Sequence, residues 1–346
     1  MIACFPFAYP DELLYSQLAR YYMKSSYTAY THAAEDLFLK KTVKPSIEFV
    51  NAFTPDALQI ITRDIAMEEV ILKHTMFPYY GRFLPKEQRE NAFQALISMR
   101  KNCYDLLSVP NNSSDSDRYL RYCPLCAEED RETHGETFWH RIHQMIGLPS
   151  CPIHGCHLID SEIVIGGRVS PILKPAEEVV PKLAVITKAY ETENRLAIYM
   201  SEIFFSKVDF EFDIPIANFL HSRMINTKYC SVRGKRISIK SLHSDVLTFY
   251  KKQASVQSIK HWQIKNILES KRFNFYEICL LAMFLHISPA ELIRLKLPAK
   301  SKQQLFDEEV YKLRKQGLNY SAICKRLHTS YNTVRSVGES MARSRV

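Results

Sequence analysis

The sequence predicts a mainly α-helical protein, with several helix-turn-helix units arranged around a central Cys3His zinc-binding module. Three observations carry this. Only nine glycines occur in 346 residues, few for an all-β or Rossmann plan. Apolar residues recur at helical spacing in one segment after another. Near the middle, two half-sites, Cys123-Pro124-Leu125-Cys126 and Cys151-Pro152-Ile153-His154, stand about two dozen residues apart.

The half-sites set the chemistry. Zinc favours thiolate and imidazole, and a structural site closes with four ligands at roughly 2.0–2.3 Å. Ligands three residues apart can be aimed at one point by a single turn, and the proline after each first cysteine fixes φ there. One Cys-x2-Cys alone would equally suggest a redox pair. The second half-site turns the reading to one structural zinc ion on Cys123, Cys126, Cys151 and His154. Cys156, His157, His140 and His143 are the alternatives for the fourth position. A hydrolytic zinc keeps a water and usually a carboxylate base, which this cysteine-rich set does not offer. No catalytic residues are assigned, and the protein is not expected to be an enzyme.

Composition narrows the class further. The sequence has no Gly-x4-Gly-Lys, Gly-x-Gly-x2-Gly or His-Glu-x2-His motif. No apolar run approaches the roughly 20 residues that cross a bilayer, and no signal-peptide pattern opens the chain. A reducing cytoplasm is expected, with Cys4, Cys103, Cys230 and Cys279 as buried thiols. The net charge of +9 divides unevenly. Residues 1–227 hold 23 Lys/Arg against 29 Asp/Glu, a balance of −6, whereas residues 228–346 hold 23 against 8, a balance of +15. Such asymmetry points to nucleic acid, whose phosphates release condensed counterions when basic residues bind.

In chain order, Glu12–Tyr22 reads as an amphipathic helix with Asp11 as its cap. Further helices are expected at Ala33–Lys40, Ala57–Ala66 after Pro55-Asp56, Met67–His74, and from Pro85 to Leu107. Asn111–Asp117 is a polar linker. Between the half-sites, Thr137–Ile146 reads as a helix ended by Gly147 and Pro149. Gly166-Gly167-Arg168 through Pro181 is an irregular boundary. Helices follow at Val185–Phe205 and Ile216–Ile225. The compact cationic turn Arg233-Gly234-Lys235-Arg236 leads into Ser238–Lys252, then Trp262–Leu268 and Phe275–Leu285. The turn His286–Pro289 and the helix Ala290–Leu295 complete a candidate helix-turn-helix, although Ile278–Leu285 is apolar enough for a core role alone.

The clearest candidate for reading DNA is C-terminal. Phe306–Lys315, ended by Gly317, precedes Tyr320–Leu327, the turn His328-Thr329-Ser330, and a last helix from Tyr331. Ile323, Leu327 and Val334 would share a small core. Ser330 would cap the last helix, whose first turn enters the major groove in such units. Tyr331, Asn332, Thr333 and Arg335 supply what base edges require, since Asn pairs with adenine and Arg with guanine. Lys325, Arg326, Arg343 and Arg345 would hold phosphates, as would Arg233, Lys235 and Arg236.

Several motifs together resemble the TniQ/TnsD family of bacterial transposon target-selection proteins, leaning towards its TnsD branch. They are Phe5-Pro6-Phe7-Ala8-Tyr9-Pro10-Asp11-Glu12-Leu13-Leu14-Tyr15-Ser16, His74-Thr75-Met76-Phe77-Pro78-Tyr79-Tyr80, Tyr122-Cys123-Pro124-Leu125-Cys126, Phe138-Trp139-His140-Arg141-Ile142-His143-Gln144, and Cys151-Pro152-Ile153-His154-Gly155. The likeness covers roughly residues 1–160. It implies a target selector that binds an attachment site and recruits a TnsC-type AAA+ ATPase. The alternative within the family is a TniQ-type adaptor tethered to an RNA-guided Cascade complex, and outside it a zinc-containing transcription regulator. The expected units are an N-terminal helical domain (1–110), the zinc module (118–165), a helical basic domain (182–297) and the C-terminal helix-turn-helix (303–346).

Overall fold

Proline stands at the first position of helices opening at Pro55, Pro124 and Pro289, where its missing N–H has no partner to lose. The structure, a computed structural model, describes residues 2, 4–100, 103–109, 118–165, 172–211, 213–225, 227–230, 237–251, 253–257, 259–271, 274–295 and 302–342. It is mainly helical. The first part runs α1 (Leu14–Lys24), α2 (Tyr30–Leu37), α3 (Pro55–Ile61), α4 (Met67–His74), α5 (Phe77–Gly81), α6 (Lys86–Ile97) and α7 (Cys103–Leu106). The middle holds β1 (Arg118–Tyr122), α8 (Pro124–His134), a 3-10 turn at Ile142–Gln144 and β2 (Ile159–Ile165). Then come α9 (Ala176–Val179), α10 (Glu191–Phe205), α11 (Ile216–Met224), α12 (Ile239–Phe249), α13 (Ala254–Gln257), α14 (His261–Leu268), α15 (Phe275–Phe284) and α16 (Pro289–Arg294). The last three are α17 (Lys302–Lys315), α18 (Tyr320–Leu327) and α19 (Tyr331–Ala342).

One apolar core runs continuously from Ile2 to Leu295. At its centre α1 buries every residue from Leu14 to Tyr21, including the charged Arg20. That guanidinium meets Glu12 and Glu136, each at 2.9 Å, and lies over the Tyr9 ring. A buried charge is tolerated only with such pairing. Helix α15 is buried from Phe275 to Met283 and packs on α10, so its apolar run serves the core. At Gly147, φ is +80° and a Cβ would stand 2.4 Å from the Tyr276 ring, so glycine lets the chain leave the middle segment against α15. A second, smaller core joins Val310, Leu313, Ile323, Val334 and Val337 of the last three helices.

Several expectations need correction. Thr137–Ile146 is not a helix: Glu12 and His140 form an antiparallel bridge, Leu13 N–H donates to the Trp139 carbonyl at 2.9 Å, and only Ile142–Gln144 makes a 3-10 turn. Asp11 does not cap α1; its carboxylate accepts from Arg141 Nε and Ile142 N, each at 3.0 Å. The helix from Pro85 stops at Ile97, since Met99 takes φ 52° and Arg100 N–H returns to the Ala95 carbonyl. Helix α10 opens at Glu191 rather than Val185, because the chain before it runs extended against Cys156. Cys4 is exposed, whereas Cys230 and Cys279 are buried. The antiparallel pair β1–β2, in register Tyr119↔Val164 and Tyr122↔Ile159, and the helix α8 were not anticipated. The Asn111–Asp117 linker, Gly166–Arg168, the cationic turn with Arg233, Lys235 and Arg236, and Arg343 and Arg345 lie outside the described residues.

Candidate metal centre

Cys123 follows β1 directly and stands as the N-cap of α8, with Pro124 at the first helical position and Cys126 within the first turn. Both sulfurs therefore sit at a helix N-terminus, whose partial positive charge favours thiolate. Strand β1 is held by Gln144, whose side-chain amide accepts from Arg121 N at 2.9 Å and donates to the Arg121 carbonyl at 2.9 Å. The second half-site is a tight turn. Gly155 N–H reaches the Cys151 carbonyl at 2.9 Å, Cys151 N–H reaches the Cys156 carbonyl at 2.8 Å, and Gly155 takes φ +61°.

Cys123, Cys126, Cys151 and His154 come together, with one donor atom of each within 4.8 Å of the others. His154 Nδ1 is 3.5, 3.3 and 3.7 Å from the sulfurs of Cys123, Cys126 and Cys151, and Cys126 Sγ is 3.7 Å from Cys151 Sγ. A tetrahedron with metal–sulfur bonds near 2.3 Å has edges of about 3.8 Å. The spacing fits one metal ion, and the soft donors suit a thiophilic divalent cation. Hydrogen bonds from the Cys126 and Cys151 thiols hold Cys123 well below the ordinary thiol range. In the metal-free cluster these sulfurs thus share protons that a cation would replace.

Of the other candidates, two have carboxylate partners. His140 Nε2 is 2.9 Å from Asp130, and His157 Nε2 is 3.1 Å from Glu193. Cys156 Sγ is 3.4 Å from Cys123 Sγ but does not belong to the group of four mutually close donors. His143 Nε2 is 3.7 Å from Cys126 Sγ, and burial pushes this imidazole down to about 4, keeping it neutral. The outer partner that sequence reading missed is Glu129, whose carboxylate is 2.9 Å from His154 Nε2. That contact orients the ring so that Nδ1 faces the sulfurs. Glu129 stands three residues past Cys126, one helical turn along α8, a signal visible only once the helix is known.

At the C-terminal end, Ser330 Oγ accepts from Thr333 N at 3.2 Å at the start of α19, and Asn319 caps α18 through Ala322 N at 2.8 Å. A Cβ on Gly338 would stand 2.5 Å from the Tyr320 ring, which marks how closely α18 and α19 approach. Lys325, Arg326, Tyr331, Asn332, Thr333 and Arg335 are exposed around this turn. Val334 and Val337 face inward.

A helical domain stapled through two short ligand turns to a two-stranded ribbon defines the class of module seen here. A family model for TniQ matches residues 3–158, a little under half of the chain. Over 158 residues the chain is 30% identical to the transposon Tn7 transposition protein TnsD of Escherichia coli. The match covers 44% of this chain and 30% of that protein. Among the described residues no helix is long and apolar enough to cross a membrane.

Proposed function

We propose that the chain is a non-catalytic target selector of a cut-and-paste transposon, holding one structural Zn2+. The basic C-terminal third binds duplex DNA at an attachment site, and the TniQ domain recruits a TnsC-type AAA+ ATPase in the cytoplasm. The observation that carries this is the TniQ match over residues 3–158 joined to a capped three-helix unit in a segment of net charge +15. The metal staples α8 to the ligand turn and so fixes the segment on which α1 docks. Residues 325–335 supply phosphate contacts through Lys325 and Arg326, and base contacts through Asn332 and Arg335. The acidic N-terminal half faces the ATPase.

Gel shift on duplexes spanning candidate attachment sites, with no guide RNA complex present, tests the duplex half. Co-sedimentation with the ATPase on the same duplex tests recruitment. Sequence-preferring duplex binding and ATPase retention are expected. Retention of the ATPase only when a Cascade complex is added would replace this reading with the adaptor role.

A further inference from the structure

The ligand turn carries an open strand edge. Ser150 bridges His157 and Cys156 bridges Lys188, both antiparallel. His157 N–H donates to the Thr187 carbonyl at 2.8 Å, and Ala189 N–H donates to the Gly155 carbonyl at 2.9 Å. Residues 187–189 are therefore the outer member of three short extended segments built on the metal module. In an antiparallel pair, the residue between two such bonded positions turns its own N–H and C=O away. Lys188 points these groups outward, where they meet no partner among the described residues.

The residues leading into this edge are apolar and uncovered. Leu183 is 92% exposed, Val185 82% and Ile186 52%. Proteins usually blunt an exposed β-branched edge with charge, proline or a covering element, because it recruits another strand. Here charge stands only at the two ends, on the exposed Lys182 and Lys188. Of the carboxylates close by in the chain, Glu177 pairs with Arg131, Glu178 with Lys174 and Glu193 with His157, while Glu191 stands exposed three residues past Lys188.

We propose that residues 183–188 are a docking edge for an extended segment of a partner protein, apolar in the middle and acidic at its ends, which adds a strand to the metal module. Charge argues against a second copy of this chain as the occupant. Antiparallel self-pairing centred on Val185 sets Lys182 opposite Lys188 twice, and parallel pairing sets each lysine against itself. Like charges directly opposite one another are destabilising.

The test uses the full chain with zinc, a synthetic heptapeptide of alternating valine and threonine ending in aspartate and glutamate, and the same peptide ending in lysines. Binding is read by fluorescence anisotropy at low salt, and backbone protection by hydrogen exchange. The acidic-ended peptide is expected to bind and to protect the Ile186 and Lys188 amides. The double variant Lys182→Glu/Lys188→Glu, on the surface and therefore folded as judged by an unchanged melt, should bind it at least tenfold more weakly and gain affinity for the lysine-ended peptide. No binding, equal affinity for both peptides, or protection elsewhere overturns the proposal. So does sedimentation showing a dimer that Val185→Asp splits, which would give the edge to a second copy.

Discussion

Asp11 and Arg141, 130 positions apart, are locked together by two hydrogen bonds, Asp11 Oδ1 accepting from Arg141 Nε at 3.0 Å and the Asp11 carbonyl from Arg141 N at 2.8 Å, while Asp11 Oδ2 accepts from Ile142 N at 3.0 Å. Ser16 Oγ, in the first turn of α1, accepts from Trp139 N at 3.0 Å. The two motifs that carry the family likeness on either side of α8 are thus each other's binding partners. Arg141 is buried and also donates to the carbonyls of Leu72 and Thr75.

Asp11→Ala leaves that guanidinium inside without its counter-charge. Breaking one partner of a buried pair costs about 3–5 kcal/mol, and the two remaining carbonyl acceptors place this case near the lower end. Urea denaturation should show a fall in stability of about 3 kcal/mol. A loss below about 1 kcal/mol, the range of surface pairs, would mean the contact forms no part of the domain's stability.

Metal content separates ligands from neighbours. Cys123→Ser and Cys151→Ser should lose the ion and unfold the central module, because binding free energy is folding free energy in such sites. Cys156→Ser, altering a sulfur outside the four-donor group, should keep one zinc per chain. Glu129→Gln should bind zinc about tenfold more weakly, the lower end for loss of an outer partner. Atomic absorption and competition with a chromogenic chelator measure all four variants. Zinc retained in Cys151→Ser but lost in Cys156→Ser would reassign the site.

Acid should release the metal. Burial alone would lower the His154 pKa, but hydrogen bonds with Glu129 and Cys151 outweigh it and hold the metal-free imidazole up to about 9. A ligating nitrogen must be deprotonated, so the metal-free form binds more protons than the loaded one. Loading expels protons, and apparent affinity rises with pH until it passes that value. Chelator competition should show affinity falling steadily from about pH 8 to 6. A flat profile would exclude His154 as a ligand.

Arg335→Ala should weaken binding to the preferred duplex by about 1–3 kcal/mol and relax the preference at one base pair, as expected for a guanine contact. Lys325→Ala should instead weaken all duplexes alike and reduce the salt slope by about one. Quantitative gel shifts across single-base variants distinguish the two. A uniform loss for Arg335→Ala would make it a phosphate contact.

The ligand group was legible because its spacing is a local property of two turns, and helices such as Met67–His74 and Tyr320–Leu327 because their apolar periodicity and end residues agree. The stretch Thr137–Ile146 was not legible as extended backbone, since its apolar positions fit helical spacing equally well. Docking of Trp139 and His140 onto Glu12, Leu13 and the start of α1 decided the outcome. One helix end was hidden for another reason. With glycine so scarce, Met99 takes the left-handed turn that closes α6 at Ile97. Nothing in that side chain announces it. Glu129 was missed because α8 itself was not foreseen.

The most direct test of the central claim is duplex binding by the purified, zinc-loaded chain at about 50 mM salt, with no other component present. Retention of a preferred duplex over a scrambled one, weakening steeply as salt rises, is the predicted result. A chain whose C-terminal helices are folded by hydrogen exchange and which retains no duplex would contradict it.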